Sequence, residues 1–452
     1  MTYNCTMNRY DRGAPIPTLL ANPASPAPRK VAELIQRIRP DVLLLNELDY
    51  DDTNPSNSAA LFQTNFLSVP QNISGSGIAQ PTISYAYRYT APVNTGYPSG
   101  FDYDRSGTVV TTPGTELYGN DCLGFGRWPG QYGMVIFSKF PIETGAIRTF
   151  QKLLWKNQPG AVLPDFAGTP APADWYSAAA LDGFRLSSKS HWDVPINIKS
   201  HIVHLLVHHP TPPTFDSTED RNGRRNHDEI RLWADYLSPQ TAGYITDDAG
   251  ISGGLAADER FVIMGDHNSD PFKGESYLYA IKQILDHPLV NSLYSPGRPT
   301  HVPPSPFGTG YFNNSAYDTS SFNLRVDYVL PSKLGMKVLS GAVYWPADTD
   351  SGYSLIDVSD HRPVYLAMQL TPVANQAVKN LRVSLESGNV VLRWKARTGY
   401  GYTISQSTNL QAPWLTTPSI PVTVDPVTFD ATATDIAPAA GRKFYRVEIN
   451  FQ

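Results

Sequence analysis

Short apolar runs alternate with amphipathic stretches over the first 370 residues, and this alternation constrains the fold more than any other feature. Residues 42–45 are all Val or Leu, which is typical of a strand buried on both faces. The segment before it repeats apolar residues at helical spacing, so we predict a helix over residues 29–39 that ends at Pro40. Similar patterns predict strands at 135–138, 202–207, 261–264 and 326–330. Strands and helices interleaved in this order predict an α/β layered domain.

Two further helices and three long loops complete this prediction. One helix is expected to begin near His227, and the other to carry Leu278, Ile281 and Ile284. Loops of unusual length in a compact domain are usually functional, so we expect them to shape a substrate cleft. These predicted loops are residues 51–83, 89–127 and 147–196.

The composition changes after Leu370. Residues 371–378 have the composition of a linker, and short alternating strands separated by Gly, Asn and Pro follow over residues 379–452. That pattern predicts a small β-sandwich. The chain of 452 residues is therefore predicted to form two domains, with the boundary after residue 370.

Charge and cysteine content limit the classes of function. Lys and Arg number 36 against 41 Asp and Glu, and no basic run occurs, which argues against tight sequence-independent binding of nucleic acid. The two cysteines, Cys5 and Cys122, form no CxxC motif, which excludes a zinc cluster of thiolates. A disulfide between them and two separate thiols both remain open.

The chain contains no apolar run long enough to span a bilayer. Its first residues already have the character of a strand interior, so we expect that an upstream leader has been removed and Met1 added. Loops rich in Ser, Thr, Asn, Gly and Pro also suit an exported protein, which predicts a secreted or periplasmic location.

Polar residues stand at the carboxyl ends of several predicted strands, where α/β proteins place their sites. Asp266 and Asn268 follow the strand 261–264 and are two residues apart, so in extended backbone they project to the same side. One can accept a proton from water while the other donates to a phosphate oxygen. The alternative is an Asx-turn that caps the strand.

Two more motifs lie near the end of the first domain. Asp360 and His361 stand together just before the apolar stretch that begins at Val364. Asp327 interrupts an otherwise apolar strand, and a buried carboxylate must be paired. A histidine that Asp327 orients is a natural partner.

Glu47 follows Asn46 at the end of the strand 42–45. A carboxylate held at a strand end can bind a hard cation, since magnesium needs only one or two carboxylates together with substrate oxygens. The alternative is a solvated loop carboxylate, because three aspartates follow at once.

Taken in order, five motifs resemble the motif set of the endonuclease/exonuclease/phosphatase superfamily, which has the deoxyribonuclease-I-like fold. The resemblance spans about residues 2–370 and implies a four-layered α/β sandwich in which two packed sheets are flanked by helices. The motifs are Thr2-Tyr3-Asn4, Asn46-Glu47, Gly265-Asp266-His267-Asn268, Arg325-Val326-Asp327-Tyr328 and Ser359-Asp360-His361.

The resemblance also implies residue roles. For the metal it implies Glu47 as the ligand, Asn4 as a residue that positions metal or phosphate, and Asp360 beside the metal site. For catalysis it implies that Asp266 activates or orients water, that Asn268 and His361 contact the phosphoryl group, and that Asp327 orients His361. Family members carry a His or Tyr that assists the leaving group, and here the candidate is His209, with His208 as the alternative.

Three motifs go beyond the family pattern and mix cationic, hydroxyl and aromatic residues. They predict a substrate pocket formed by Arg127, Lys189, Arg225 and His191, in which the cations meet phosphate. The alternative is a network that ties the long loops to one another.

The predicted function is metal-dependent hydrolysis of small or lipid-like phosphate esters by a monomeric enzyme, with Mg²⁺, Mn²⁺ or Ca²⁺ as cofactor. The alternatives are a nonspecific extracellular nuclease and, from another class, a non-catalytic binding or adhesion protein. The C-terminal module resembles the fibronectin-III-like modules of exported bacterial enzymes, and its aromatic residues are expected to form its core.

Overall fold

The structure is a computed structural model. It describes residues 1–55, 57–293, 315–371, 373, 379–396, 400–408, 413–416, 419–425, 430–436 and 443–451. The chain divides into two compact units. The first comprises Met1–Ile196 and Val203–Gln369, and the second comprises Asn197–Ile202 and Leu370–Gln452.

Eleven strands are described up to Leu370. They are β1 (Thr2–Met7), β2 (Val42–Leu48), β3 (Tyr87–Tyr89), β4 (Met134–Ser138), β5 (Arg148–Thr149), β6 (His191–Ile198), β7 (His201–His208), β8 (Phe261–Asp266), β9 (Asp327–Pro331), β10 (Met336–Val343) and β11 (Val364–Leu370). One sheet has the order β10-β11-β1-β2-β4-β3, and the other has the order β5-β6-β7-β8-β9. Both sheets are mixed, with parallel pairs β1–β2 and β7–β8.

The described α-helices accompany these sheets. They are α1 (Arg9–Arg12), α2 (Ile16–Ala21), α3 (Pro26–Ile38), α4 (Asn57–Phe62), α5 (Glu116–Asn120), α6 (Ala178–Leu181), α7 (Arg221–Tyr236) and α8 (Lys282–Leu285). Helix α3 begins at Pro26, whose fixed φ suits a first helical position, and ends before Pro40. Within the described residues, no helix has the length and apolar character that crossing a bilayer requires.

The layers follow from which residues pack together. One core joins the buried face of α3 to outward side chains of the first sheet, such as Tyr3 and Leu43. A second core joins α7 to outward side chains of the second sheet, such as Leu206 and Ile263. Strand β1 packs against β8 and β9 of the opposite sheet. The resulting order of helix, sheet, sheet and helix confirms the predicted four-layered sandwich.

Strand alternation places the polar strand-end residues between the two sheets. Tyr3 packs toward α3, so its neighbour Asn4 points to the opposite face of β1. Ile263 packs toward α7, which directs Met264 and then Asp266 toward the first sheet. The same rule brings Asp327, the neighbour of the outward Tyr328, to the inner face of β9.

The second unit contains an all-antiparallel β-structure over the described part of residues 379–451. Its strands are β12 (Lys379–Glu386), β13 (Asn389–Lys395), β14 (Tyr400–Ser407), β15 (Val422–Val424), β16 (Asp430–Asp435) and β17 (Phe444–Phe451). They form a sheet of order β12-β13-β16-β15 and the pair β14–β17. Trp394 is buried in their common core and packs edge-on against Tyr402, with ring centroids 5.5 Å apart. The fibronectin-III-like character remains a prediction.

Several boundaries differ from the sequence prediction. Helix α7 begins at Arg221, six residues before the predicted start, and β6 begins inside the predicted loop 147–196 and continues to Ile198. The predicted third helix is reduced to α8, and Leu278 lies in a preceding turn with a positive φ and 70% exposure. Most of the predicted linker, residues 372 and 374–378, lies outside the described residues.

The two cysteines are separate and buried, and no disulfide joins them. The Cys5 thiol donates to the carbonyl oxygen of Asn46 at 3.3 Å, and that of Cys122 to Tyr118 at 3.1 Å. Of the two arrangements left open by the sequence, the structure therefore contains separate thiols.

Candidate active site

Asp266 is the centre of the polar cluster at the carboxyl end of β8. Its Oδ2 accepts a hydrogen bond from Asn4 Nδ2 at 3.0 Å, and lies 3.4 Å from His209 Nε2 and 3.5 Å from His361 Nε2. The side chain is 1% exposed. Burial raises the pKa of this carboxyl, but His361, His209 and Asn4 outweigh burial and hold it below its usual range. Asp266 is therefore an ionised carboxylate surrounded by donors.

His361 lies between two carboxylates. Its Nδ1 is 2.9 Å from Asp327 Oδ2, and its Nε2 faces Asp266. Asp327 Oδ2 also accepts the hydroxyl of Thr319 at 2.8 Å, which fixes its position. Burial lowers the pKa of His361, yet the charges of Asp327 and Asp266 raise it well above the ordinary value. The imidazole is therefore a buried cation held in orientation from behind by Asp327.

His209 follows the end of β7 and faces the inner side of the sandwich. It is 3% exposed, and burial together with the nearby Lys189 lowers its pKa to about 4 despite the neighbouring Asp266. The ring is thus neutral near pH 7. His208, the alternative suggested by the sequence, is the last residue of β7 and packs on the opposite face against Trp233 and His267. The structure brings His209 rather than His208 to Asp266.

Glu47 belongs to the opposite sheet and is held by two side-chain amides. Asn4 Nδ2 donates to Oε1 at 3.0 Å, and Asn8 Nδ2 donates to Oε2 at 3.0 Å. The residue has a positive φ of 61°, an uncommon conformation for a residue other than glycine. Burial raises the pKa of this carboxyl to about 7, against the hydrogen bond from Asn4 and the charge of His361, which lower it.

The donor set fits a hard divalent cation. Glu47 supplies two carboxylate oxygens, and a positive ion beside them would offset the burial that raises their pKa. Donor atoms of Asp266, Asp327 and His361 also lie within 4.8 Å of one another. In that group, however, His361 lies between the two carboxylates, and its positive charge offsets one of their two negative charges. Asp360, whose side chain is 58% exposed, lies farther out, with Oδ1 3.9 Å from His361 Nε2.

Asn268 forms the capping turn that its sequence position suggested, while its contact with phosphate remains a prediction. Its backbone N–H donates to Asp266 Oδ1 at 2.9 Å, which is the capping turn, and its φ is 52°. The side chain nevertheless lines the cleft, and its Nδ2 donates to the carbonyl of Pro210 at 3.2 Å. The turn therefore places the side-chain amide at the wall of the cleft.

A cleft of about 1320 Å³ opens over these residues. Aromatic side chains from the long loops form much of its wall, including Tyr103, Phe125, Tyr176 and Phe184. The candidate catalytic and metal-binding residues that line it are Glu47, His209, Asp266, Asn268, Asp360 and His361.

The three predicted cations all line the cleft, but their surroundings differ. Arg225 is 6% exposed and donates to the carbonyls of Leu186, Leu123 and Arg185, at 2.6–3.0 Å. It is therefore engaged in tying loops together. Arg127 pairs with Glu116 at 2.9 Å and stacks over the ring of Tyr10.

Lys189 differs from both arginines. It is 5% exposed, and its Nζ makes a long contact of 3.3 Å with the carbonyl of Pro210. Burial lowers its pKa, and nearby Glu229, Glu47 and Asp266 oppose that shift. Its ammonium group therefore lies at the wall of the cleft and contacts the same carbonyl oxygen as Asn268 Nδ2.

The structure does not bring His191 to the cleft. It is 1% exposed on the outward face of β6, where Nδ1 contacts Ser187 Oγ at 2.6 Å and Nε2 contacts the carbonyl of Glu229 at 2.8 Å. Its ring packs against Trp233. Because strand alternation turns this side chain toward α7, its environment is a core and not a substrate pocket.

Sequence reasoning missed Asn8, the second amide that holds Glu47. Asn8 Nδ2 also donates to Asp11 Oδ2 at 2.7 Å, and its Oδ1 accepts from the N–H of Asp11 as the cap of α1. The signal available was an Asn at a helix start directly after a strand, which is also the ordinary pattern of a cap.

Comparison with known protein families shows which family the chain belongs to. The model of the endonuclease/exonuclease/phosphatase family matches residues 1–361. The chain belongs to this family. Membership supports metal-dependent phosphoester hydrolysis as the general chemistry of the site. Among curated proteins, no sequence matches the chain.

Solved structures with the same general fold are distant. A double mutant of beta toxin from Staphylococcus aureus with bound magnesium ions has 15% identity and a TM-score of 0.36, over 80% of this chain and 96% of that chain. Sphingomyelinase C from Streptomyces griseocarneus also has 15% identity and a TM-score of 0.36, over 80% of this chain and 96% of that chain. An AP endonuclease from Archaeoglobus fulgidus has 11% identity and a TM-score of 0.34, over 82% of this chain and 98% of that chain. Such distant similarity does not indicate a substrate.

Proposed function

We propose that this protein hydrolyses phosphate esters by metal-assisted, in-line attack of water. The observation that supports this most strongly is the arrangement around Asp266, where an ionised carboxylate contacts a cationic histidine, a neutral histidine and an amide in one cleft. Attack on a phosphoryl centre places negative charge on the non-bridging oxygens, and fixed donors stabilise that charge.

Each residue has a proposed role in this reaction. Asp266 orients the attacking water by accepting one of its protons in a hydrogen bond. His361, held by Asp327, contacts a non-bridging oxygen and stabilises its developing charge, while Asn268 donates to the phosphate from the adjacent loop. His209 assists departure of the leaving group.

Glu47, with Asn4 and Asp360 beside it, is proposed to hold the divalent cation. The cation, when bound, supplies Lewis-acid stabilisation of the phosphoryl oxygens. Asn4 is proposed to position Glu47 relative to Asp266, because its Nδ2 contacts both carboxylates at 3.0 Å.

We further propose that the substrate is a small or lipid-like phosphate ester and not duplex DNA. A protein that tracks a nucleic-acid backbone needs many available cations. Here Arg225 is engaged with backbone carbonyls, Arg127 is paired with a carboxylate, and Asp11 and Glu116 add negative charge to the lining. The aromatic walls suit an apolar alcohol portion.

The test measures hydrolysis of para-nitrophenyl phosphate, its bis ester, phospholipids and plasmid DNA, after chelation and after return of Mg²⁺, Mn²⁺ or Ca²⁺. We expect cation-dependent cleavage of at least one small ester, and its loss in Asp266→Asn. Asp182→Asn, which alters an exposed ion pair with Lys156, is the matched control. Full activity after chelation would refute the role of the metal, and faster, strongly salt-sensitive cleavage of DNA would favour a nuclease.

A further inference from the structure

The segment after β7 is held in place by two buried side chains of α7. Glu229 Oε2 accepts the backbone N–H of Thr211 at 2.6 Å, and Asn226 Nδ2 donates to the carbonyl of Thr211 at 2.8 Å. Glu229 is 1% exposed and Asn226 is fully buried. Both backbone polar groups of Thr211, the N–H and the carbonyl, are therefore held by hydrogen bonds. Thr211 lies two residues after His209.

The same two side chains also fix the neighbouring loops of the cleft. Glu229 Oε1 accepts the N–H of Ser188 at 2.5 Å, directly before Lys189. Asn226 Nδ2 donates to the carbonyl of His267 at 3.0 Å, between Asp266 and Asn268. One face of α7 thus sets the relative positions of three segments that carry candidate catalytic groups.

Thr211 itself has an unusual side chain. It lines the cleft and is 7% exposed, yet its Oγ1 has no hydrogen-bond partner among the described residues. A buried hydroxyl without a partner is unfavourable, and native structures contain few of them. Bound substrate is a partner that would satisfy it.

The surroundings indicate what that partner is. The carbonyl of Pro210, the residue before Thr211, accepts hydrogen bonds from both Lys189 Nζ and Asn268 Nδ2. The hydroxyl therefore belongs to the same wall as a buried ammonium, a neutral imidazole and an amide. A donor in such a group is suited to an anionic oxygen.

We infer that Thr211 Oγ1 donates a hydrogen bond to a non-bridging oxygen of the substrate's phosphoryl group, and that Asn226 and Glu229 are the residues that position it. This inference rests on the proposed function of the same site. It assigns Thr211 to substrate contact and the two α7 side chains to alignment of the loops.

The decisive variants are Thr211→Val and Thr211→Ser, measured with a small phosphate ester at saturating Mg²⁺. A single fixed donor of this kind contributes about 10²–10³-fold to turnover, so we expect Thr211→Val to lose roughly that factor. Thr211→Ser keeps the donor and should retain most activity. Thr18→Val, the same substitution at an exposed threonine of α2 outside the cleft, is the matched control and should behave as wild type.

Stability measurements separate this role from a structural one. Because the hydroxyl has no partner among the residues that the structure describes, Thr211→Val should unfold at the same temperature as wild type or a higher one. A clear drop in Tm would show an internal partner and overturn the inference. Near-normal turnover of Thr211→Val would also overturn it.

Positioning is tested by a double-mutant cycle. Glu229→Gln should lower kcat in the wild-type background, and should lower it less once Thr211→Val has removed the group that it aligns. Equal effects in both backgrounds would contradict the proposed coupling.

A second readout keeps the inference testable if no small ester is cleaved, in which case the proposed function fails. Inorganic phosphate with Mg²⁺ should raise the Tm of the wild-type protein by mass action. The shift should be smaller for Thr211→Val than for Thr18→Val. Equal shifts in the two variants, or no shift in the wild-type protein, would refute phosphate contact by Thr211.

Discussion

Replacing His191 with Gln should make the free energy of unfolding less sensitive to acid. His191 lies in the core beside Trp233, and burial lowers its pKa to about 3. In the unfolded chain the pKa returns to about 6.5. Between these two values the unfolded state binds one proton more than the folded state, so stability falls as the pH falls through this window.

The magnitude follows from proton linkage. One such histidine contributes a slope of up to about 1.4 kcal/mol per pH unit, or about 1.5–2 kcal/mol between pH 6.5 and 5. His267 and His209, whose pKa values burial lowers to about 4, remain in the variant, so its stability should still decline, but less steeply. Lost hydrogen bonds to Ser187 and Glu229 should add an offset that is independent of pH.

The assay is urea unfolding at several pH values from 7.5 to 5, followed by tryptophan fluorescence. His204→Gln is the control, because the pKa of His204 is shifted in the opposite direction. Asp193, 2.7 Å away, raises the pKa of His204 despite its burial. That pair contributes stability below the unfolded pKa, so its removal should not flatten the acid slope. Parallel curves for His191→Gln and wild type between pH 6.5 and 5 would refute the reasoning.

Two further predictions concern the active site and the domains. His361→Ala should lower kcat by about 10²–10⁴-fold and destabilise the fold by about 3–5 kcal/mol, because Asp327 loses its buried partner. Adding Asp327→Asn should restore the urea midpoint but not the turnover, and recovery of both would contradict the assigned roles. Deletion of residues 372–452 should leave kcat/KM on a small soluble ester largely unchanged, since the candidate catalytic residues precede Leu370. A folded but inactive truncation would show that the C-terminal module contributes to catalysis.

The parts of the candidate site that could be predicted depend only on the order of neighbouring residues along a strand. Asp266 and Glu47 follow apolar strands directly, and a strand end fixes where the next side chain lies. Strand alternation also makes Asp327 face inward. Such relations span a few residues, so they can be found without knowledge of distant contacts.

The parts that could not be predicted depend on contacts across the fold. The sequence pattern predicts a loop for the segment that contains His191, and a place for His191 in the pocket, whereas the segment forms part of β6. This strand also contains Pro195, a residue that disfavours strands. Only the pairing of β6 with the next strand shows that the ring of His191 faces the core.

Helix α7 was shortened in the prediction for a related reason. The part of the helix before His227 buries Arg225 and Asn226, which are both polar, so it shows no apolar periodicity. Buried polar residues that hydrogen-bond to loops have the same composition as residues on a solvent-exposed helix face. The sequence alone therefore does not distinguish the two. The sequence also could not show that Arg225 holds loops together, because its hydrogen-bond acceptors are backbone carbonyls of distant segments.

The single amide of Asn4 joins the two halves of the sandwich, because it contacts Glu47 on one sheet and Asp266 on the other. Catalytic competence should therefore report on the alignment of the sheets more directly than on the integrity of either one. A small shear between the layers would separate the two carboxylates while leaving both sheets and their helices intact. Substitutions that tighten only the outer helical layers would then raise the melting temperature without extending the temperature range of activity, whereas better packing between β1 and β8 would extend both.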